Sequence, residues 1–145
     1  MKFLRSFEPL SLLCLRLALA LIFVYHGYPK LTHPTEATRQ FFASHGFPTY
    51  FVGVAGIIEC FGALLLALGL FTRPAALVLT AEMIVAIAKV HSVHGIMSVK
   101  DYEFPLAVAA GCLALATVGA GLISADNVVF GENGKKRRKT KNSGE

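Results

Sequence analysis

The chain has 145 residues, of which 54% are hydrophobic and 16% are charged, and its net charge is +5. A soluble domain of this size would carry roughly a quarter of its residues as charged groups. The composition therefore excludes an ordinary soluble enzyme and indicates one membrane-embedded domain.

Four apolar runs account for this composition, and each begins near a proline. A helix needs ~20 apolar residues to cross a bilayer, and each run has about that length. None shows the strand-like alternation of apolar and polar residues. We therefore predict an all-α integral membrane four-helix bundle over residues 1–126. The predicted spans, after Pro9, Pro48, Pro74 and Pro105, are Leu10–Tyr28, Tyr50–Phe71, Ala75–Val93 and Phe104–Ile123.

The first run also resembles a signal peptide. Lys2 and Arg5 precede it, and Ala18-Leu19-Ala20 imitates a cleavage site. Arg16 interrupts the run, however, and apolar residues continue beyond the supposed cut, so a retained transmembrane helix is the better interpretation.

The first external connection contains a further predicted helix, Thr35–His45. Pro34 and Thr35 can begin it and Gly46 can end it. Phe41 and Phe42 give it an apolar side, which suits a short helix lying in the membrane interface.

The tail, residues 127–145, is predicted to be disordered. Six basic residues between Lys135 and Lys141 lie close behind the last predicted span. Because such clusters stay on the cytoplasmic side, both termini are predicted to be cytoplasmic. Contact with anionic lipid headgroups is a simpler explanation of this charge than nucleic-acid binding.

Ionisable residues inside the predicted spans are the first candidates for function, since a charge facing lipid costs several kcal/mol. Counting the rise along each helix places Arg16 within reach of Glu82 or Glu59. Such an ion pair could merely fix helix order, or it could belong to a ligand or proton site. Glu82 and Lys89 share one helix face and are expected to be buried structural charges.

Stripes of small residues predict close helix packing in two spans. One comprises Gly56, Gly62 and Ala63, which share one side of their helix with Glu59, and the other comprises Ala107, Ala110, Gly111 and Ala114.

A second polar layer lies near the outer interface. It could hydrogen-bond a quinone headgroup, or simply anchor the helices at the interface. The spacing of His91 and His94 is weak evidence for a metal site, and no metal is predicted. The residues of this layer are Tyr25, His26, Lys30, Lys89, His91, His94, Tyr102 and Glu103.

The sequence carries no evident electron-carrying group. Cys14, Cys60 and Cys112 lie singly in three spans, without a Cys-x-x-Cys pair. Phosphate-binding and dinucleotide-binding glycine motifs are also missing. No covalently bound cofactor is predicted, so redox chemistry would depend on a lipid-soluble molecule or on a partner.

The sequence resembles the DoxX family over residues 10–126. The resemblance is carried by Leu15-Arg16-Leu17, by His26-Gly27-Tyr28-Pro29-Lys30, by Ile58-Glu59-Cys60, by Leu70-Phe71-Thr72-Arg73-Pro74, and by Glu103-Phe104-Pro105. It implies a four-helix protein of the bacterial inner membrane, associated with quinone-linked oxidation and with membrane oxidoreductase complexes.

Carried over residue by residue, the resemblance marks Arg16, His26, Lys30, Glu59 and Glu103 as candidate site residues. Two functions follow as expectations. One is a quinone-linked accessory subunit, in which Tyr25, His26, Lys30 and Glu103 contact the headgroup and Glu59 exchanges protons. The other is a non-catalytic anchor or assembly scaffold for soluble partners. Expected partners are the lipid bilayer, oxidoreductase subunits or a second copy of the chain, and no nucleic acid.

Overall fold

The computed structural model describes residues 7–91 and 99–130, and the regular secondary structure in these ranges is helical. The all-α prediction is confirmed. The elements in chain order are α1 (Glu8–Thr32), α2 (Glu36–Ser44), α3 (Phe51–Leu68), α4 (Thr72–Ala86), the π-helical segment Ile87–His91, and α5 (Val99–Val118).

The four long helices form two pairs. α1 packs along α3, and α4 packs along α5. A tight turn at Gly69–Phe71 joins the pairs. We call the end of the bundle that holds this turn, the start of α1 and the end of α5 the terminal end. The opposite end, which holds α2, is the loop end.

The packed core fills the half of the bundle next to the terminal end. On α4 the buried positions stop at Thr80, although the helical backbone runs on to His91. Beyond Thr80 the two helix pairs no longer close on each other, and a cavity lies between them. The core residues are Leu19, Ala20, Phe23, Ala63, Leu66, Ala75, Ala76, Leu79, Val108, Cys112 and Leu115.

The predicted small-residue face of α3 is buried, which confirms that prediction. A Cβ atom added at Gly27 would lie 2.7 Å from the Cβ of Glu59, and one added at Gly56 would lie 2.9 Å from Cγ of Leu31. Only glycine leaves room for α1 and α3 to approach this closely.

The small-residue prediction for the last span is wrong. Ala107, Ala110 and Ala114 are exposed, whereas Val108 and Leu115 are buried. α5 carries small residues on more than one side, so their spacing alone does not identify the buried face.

Two of the four prolines occupy the predicted positions. Pro9 and Pro74 lie in the first turns of α1 and α4. Pro48 instead forms the turn before α3, where its carbonyl accepts the Phe51 N–H at 2.9 Å. Pro105 lies inside α5, which begins at Val99. The first turn of α5 is polar, so a prediction based only on apolar residues placed the start of this helix too late.

Hydrogen bonds of Asp126 connect the segment after α5 to the turn before α4 at the terminal end. The Asp126 carboxylate accepts the N–H groups of Phe71 at 2.7 Å and Thr72 at 3.0 Å. The Asp126 N–H in turn donates to the Gly69 carbonyl at 2.8 Å. A carboxylate at this place satisfies unpaired donors and complements the positive end of the α4 dipole.

The first residues of the predicted disordered tail, 127–130, are helical in the structure. Residues 125–130 are helical, and the Ser124 hydroxyl caps the start of this stretch by accepting the Asn127 N–H at 3.2 Å. The basic cluster of the tail lies outside the described residues.

The predicted helix in the first long connection is confirmed as α2. Thr35 caps its start by accepting the Thr38 N–H at 3.2 Å. The chain leaves the helix through Gly46, whose φ of +80° is accessible to glycine at little cost.

The outer surface of the bundle is apolar. α1 and α3 are long and apolar enough to cross a bilayer, with mean hydropathies of 1.9 and 2.3, and Tyr102–Val118 is a shorter apolar helix. Leu21, Ile57 and Phe61 are 72%, 60% and 59% exposed. Such side chains face lipid in a membrane protein.

Candidate functional site

A cavity of about 830 Å³ separates the two helix pairs at the loop end. Its walls are mostly apolar and come from α1, α2, α3, α4 and the first turns of α5. Four ionisable side chains of the long helices also line it: His26, Lys30, Glu59 and Glu82. The candidate site is this cavity, with its ionisable groups.

Lys30 and Glu59 form an ion pair in its wall. The Lys30 ammonium donates to both carboxylate oxygens of Glu59, at 2.6 Å each. The Glu59 side chain is 4% exposed and that of Lys30 is 21% exposed. Helical side chains lean toward the N-terminus of their helix, so Lys30, near the end of α1, points back toward the level of Gly27, where Glu59 packs. Because these two opposite charges are in direct contact, the pair adds no net charge to the cavity wall.

Glu82 lies in the same cavity without such a partner. Its Oε2 atom is buried and has no hydrogen-bond partner among the described residues. Glu59 and Lys30 are close enough to act on it electrostatically. The structure places the carboxyl of Glu82, which was expected to be a buried structural charge, in the wall of the cavity.

The ring of His26 lines the cavity from α1. The ring Nδ1 lies 2.9 Å from the Ile22 carbonyl one turn earlier, which accepts from the Nδ1–H tautomer. The ring centroid is 5.6 Å from that of Phe104 on α5. His26 thus bridges α1 and α5, and its other ring nitrogen is not involved in the bond to Ile22.

Aromatic side chains of α2 and of the turn that follows it cover the loop end of the cavity. The rings of Phe42 and Phe47 lie 6.0 Å apart, and those of Phe47 and Phe51 lie 5.9 Å apart. Phe41 also lines the cavity and stacks at 4.5 Å on His45. The apolar side predicted for this helix therefore faces the cavity.

Arg16 is far from the acids it was expected to meet, so that pairing prediction is wrong. Its guanidinium donates from Nη2 to the Ile123 carbonyl and packs against Gly69 at the terminal end. Arg16 is only 1% exposed. Its Nε and Nη1 atoms are buried without a hydrogen-bond partner among the described residues. Helix depth alone does not reveal that a backbone carbonyl, and not a carboxylate, meets this side chain. Arg16 is outside the cavity.

Three other predicted site residues also lie outside the cavity. Tyr25 is 76% exposed, and Glu103 is exposed on α5. Lys89, expected to be buried, is exposed as well. Of the six predicted ligand-site residues, the structure brings together His26, Lys30 and Glu59.

Sequence reasoning missed two contributors to the site. Glu82 was recognised as buried but not as part of the outer polar layer, since its depth suggested a partner in Arg16. The aromatic cover was assigned to the membrane interface. The sequence did show that α2 has an apolar side. It did not show which part of the protein that side would pack against.

Comparisons with known proteins agree with this architecture. The family model described as DoxX matches residues 11–92. A Bacillus subtilis protein, CatD, a candidate oxidoreductase by name, is 33% identical over 132 residues, covering 91% of this chain and 94% of its own. The Escherichia coli inner membrane protein YqjF is 25% identical, covering 86% of this chain and 96% of its own.

A second Escherichia coli inner membrane protein, YphA, is 39% identical over 71 residues, which is 48% of this chain and 50% of its own. No solved structure matches the chain. The family match over more than half of the chain, and the near full-length similarity to CatD, establish that this chain is a membrane protein of the DoxX family.

Proposed function

We propose that this protein binds a lipid-soluble quinone in the cavity and serves as a quinone-linked accessory subunit of a membrane oxidoreductase complex. The observation that carries the proposal is the combination of apolar walls with a small group of ionisable side chains. Small-molecule sites commonly have this composition and volumes of about 300–1,000 Å³.

The cavity residues fit the two parts of such a ligand. A quinone has a flat, uncharged headgroup and an apolar tail. The phenylalanines at the loop end offer ring faces and apolar surface for stacking. Lys30 offers a further N–H donor near the headgroup, His26 offers its Nε2 atom as an acceptor, and Glu82 offers a carboxyl oxygen without a partner among the described residues.

The redox step requires a partner in this proposal. Reduction of a quinone to its quinol consumes two electrons and two protons. A partner protein with a flavin or metal centre supplies the electrons, and the protons come from water through the ionisable side chains of the cavity. The name of CatD supports an association with oxidoreductases.

The first prediction tests quinone retention. Full-length protein extracted gently from quinone-replete bacterial membranes should carry quinone, detectable by mass spectrometry of the extracted lipids. Ala55→Phe should abolish retention because the added ring fills the cavity that Ala55 lines. His26→Ala should also abolish retention, in protein that remains inserted and folded. Glu59→Gln should lower retention in protein with a lower Tm, because Lys30 loses its partner.

Ile57→Phe is the matched control, since Ile57 lies on the outer face of the same helix and is 60% exposed. It should retain quinone like the wild type. Wild-type protein that is quinone-free but still bound to its oxidoreductase partners would refute the proposal and identify an assembly scaffold.

A further inference from the structure

Glu82 lies at the floor of the cavity. On α4 the buried positions end at Thr80, and of the α4 residues that line the cavity only Val78 and Ala81 lie nearer the terminal end than Glu82. On α3, Glu59 occupies the corresponding boundary, with Gly62 and Ala63 in the core and Ala55 and Ile58 in the cavity wall. The polar end of the cavity is therefore its deep end.

At this floor the Glu82 carboxyl is the group left for a ligand. The carboxylate of Glu59 already receives two hydrogen bonds from Lys30. The buried Oε2 of Glu82 receives none from the described residues. A buried polar atom without a partner is unfavourable, and such atoms point to a missing ligand, ion or water.

We propose that Glu82 is the ligand-binding acid of the cavity, and that it selects an uncharged amphiphile which enters headgroup first. This inference rests on the proposed function and narrows the ligand class. The headgroup hydrogen-bonds to Glu82 at the floor, and the apolar tail leaves past the aromatic side chains under α2.

The charges at the floor explain why the ligand is uncharged. Glu59 neutralises Lys30, so no cation remains in excess when His26 and His45, the two histidines that line the cavity, are neutral. With Glu82 ionised the floor is negative, and with Glu82 protonated it is neutral. An anionic lipid therefore gains no attraction in either state, and ionised Glu82 repels it.

A carboxyl also suits both redox states of a quinone. In its acid form it donates a hydrogen bond to a carbonyl oxygen, and as a carboxylate it accepts one from a hydroxyl group. Glu82 can thus hold the oxidised or the reduced headgroup at the same place, without a change of partner.

The test measures binding of decylubiquinone and of palmitate to the full-length protein in detergent, by isothermal titration calorimetry. Glu82→Leu should weaken decylubiquinone binding about tenfold, the effect of one lost hydrogen bond. Glu82→Gln keeps a donor and an acceptor and should stay within about threefold of wild type. Glu8→Leu, which removes an exposed acid of α1, is the control and should not change binding.

The outcomes separate the two proposals. If Ala55→Phe abolishes binding but Glu82→Leu does not weaken it, the cavity binds the ligand and the role of Glu82 is wrong. If wild type binds palmitate more tightly than decylubiquinone, the uncharged ligand class is wrong, whether or not the Glu82 variants fold. If wild type binds no decylubiquinone, the proposed function and this inference both fail.

Discussion

At the scale of single residues, Lys30 and Glu59 determine the electrostatics of the cavity wall. Each would be an isolated charge in a largely apolar place without the other. Together they form a short pair with two hydrogen bonds of 2.6 Å. Removing one partner of a buried pair is more damaging than removing both, because the remaining charge loses its compensation.

The pair predicts a pattern of rescue. Lys30→Met should destabilise the protein by about 3 kcal/mol, seen as a lower Tm in detergent. The double variant with Lys30→Met and Glu59→Gln should recover most of this loss, because no uncompensated charge remains. Lys89→Met, at an exposed lysine, is the control. A double variant no more stable than the single one would contradict a stabilising pair.

At the scale of elements, the start of α4 depends on a residue that is distant in sequence. Asp126 reaches back to the N–H groups of Phe71 and Thr72, so the segment after α5 caps α4. Arg73 makes the reciprocal contact, donating to the Val118 carbonyl at the end of α5 at 3.4 Å. A residue that follows α5 thus caps the start of α4, and a residue of α4 caps the end of α5.

The cap predicts local opening when it is removed. Asp126→Ala should cost about 1–2 kcal/mol, as for other helix caps, and should speed hydrogen exchange at Phe71 and Thr72. Asp126→Asn should have a smaller effect, since its amide oxygen still accepts one bond. Unchanged exchange at these two amides in Asp126→Ala would show that the cap is not needed.

At the scale of the whole molecule, the two ends of the bundle differ in how tightly they are packed. The terminal end is closed by core packing, by buried Arg16 and by the Asp126 cap. At the loop end the buried positions of α4 stop at Thr80, and a cavity lies between the helix pairs. A rigid end can therefore hold the helix pairs in register while the cavity at the other end accommodates a ligand.

Part of this organisation could be predicted from the sequence. The long helices follow from apolar length, and α2 follows from Thr35 and Gly46, because these signals are local. The partners of Arg16 and Lys30 could not be predicted, since periodicity gives a helix face but not the neighbour it meets. A backbone carbonyl such as that of Ile123 carries no sequence signal at all. The cavity depends on how the two helix pairs pack against each other at the loop end, and no residue pattern in the sequence predicts that packing.

The orientation of the molecule in the membrane is a prediction from charge alone. The six basic residues between Lys135 and Lys141 follow the last helix closely, and positive residues there resist translocation. A reporter fused after Glu145 should therefore be active on the cytoplasmic side. Replacing all six residues with glutamine should give molecules of mixed orientation, because the remaining basic residues are divided between the two ends of the bundle. Replacing Lys2 and Arg5 instead should have less effect. An external reporter signal from the unmodified chain would reverse the assignment and would place the mouth of the cavity on the cytoplasmic side.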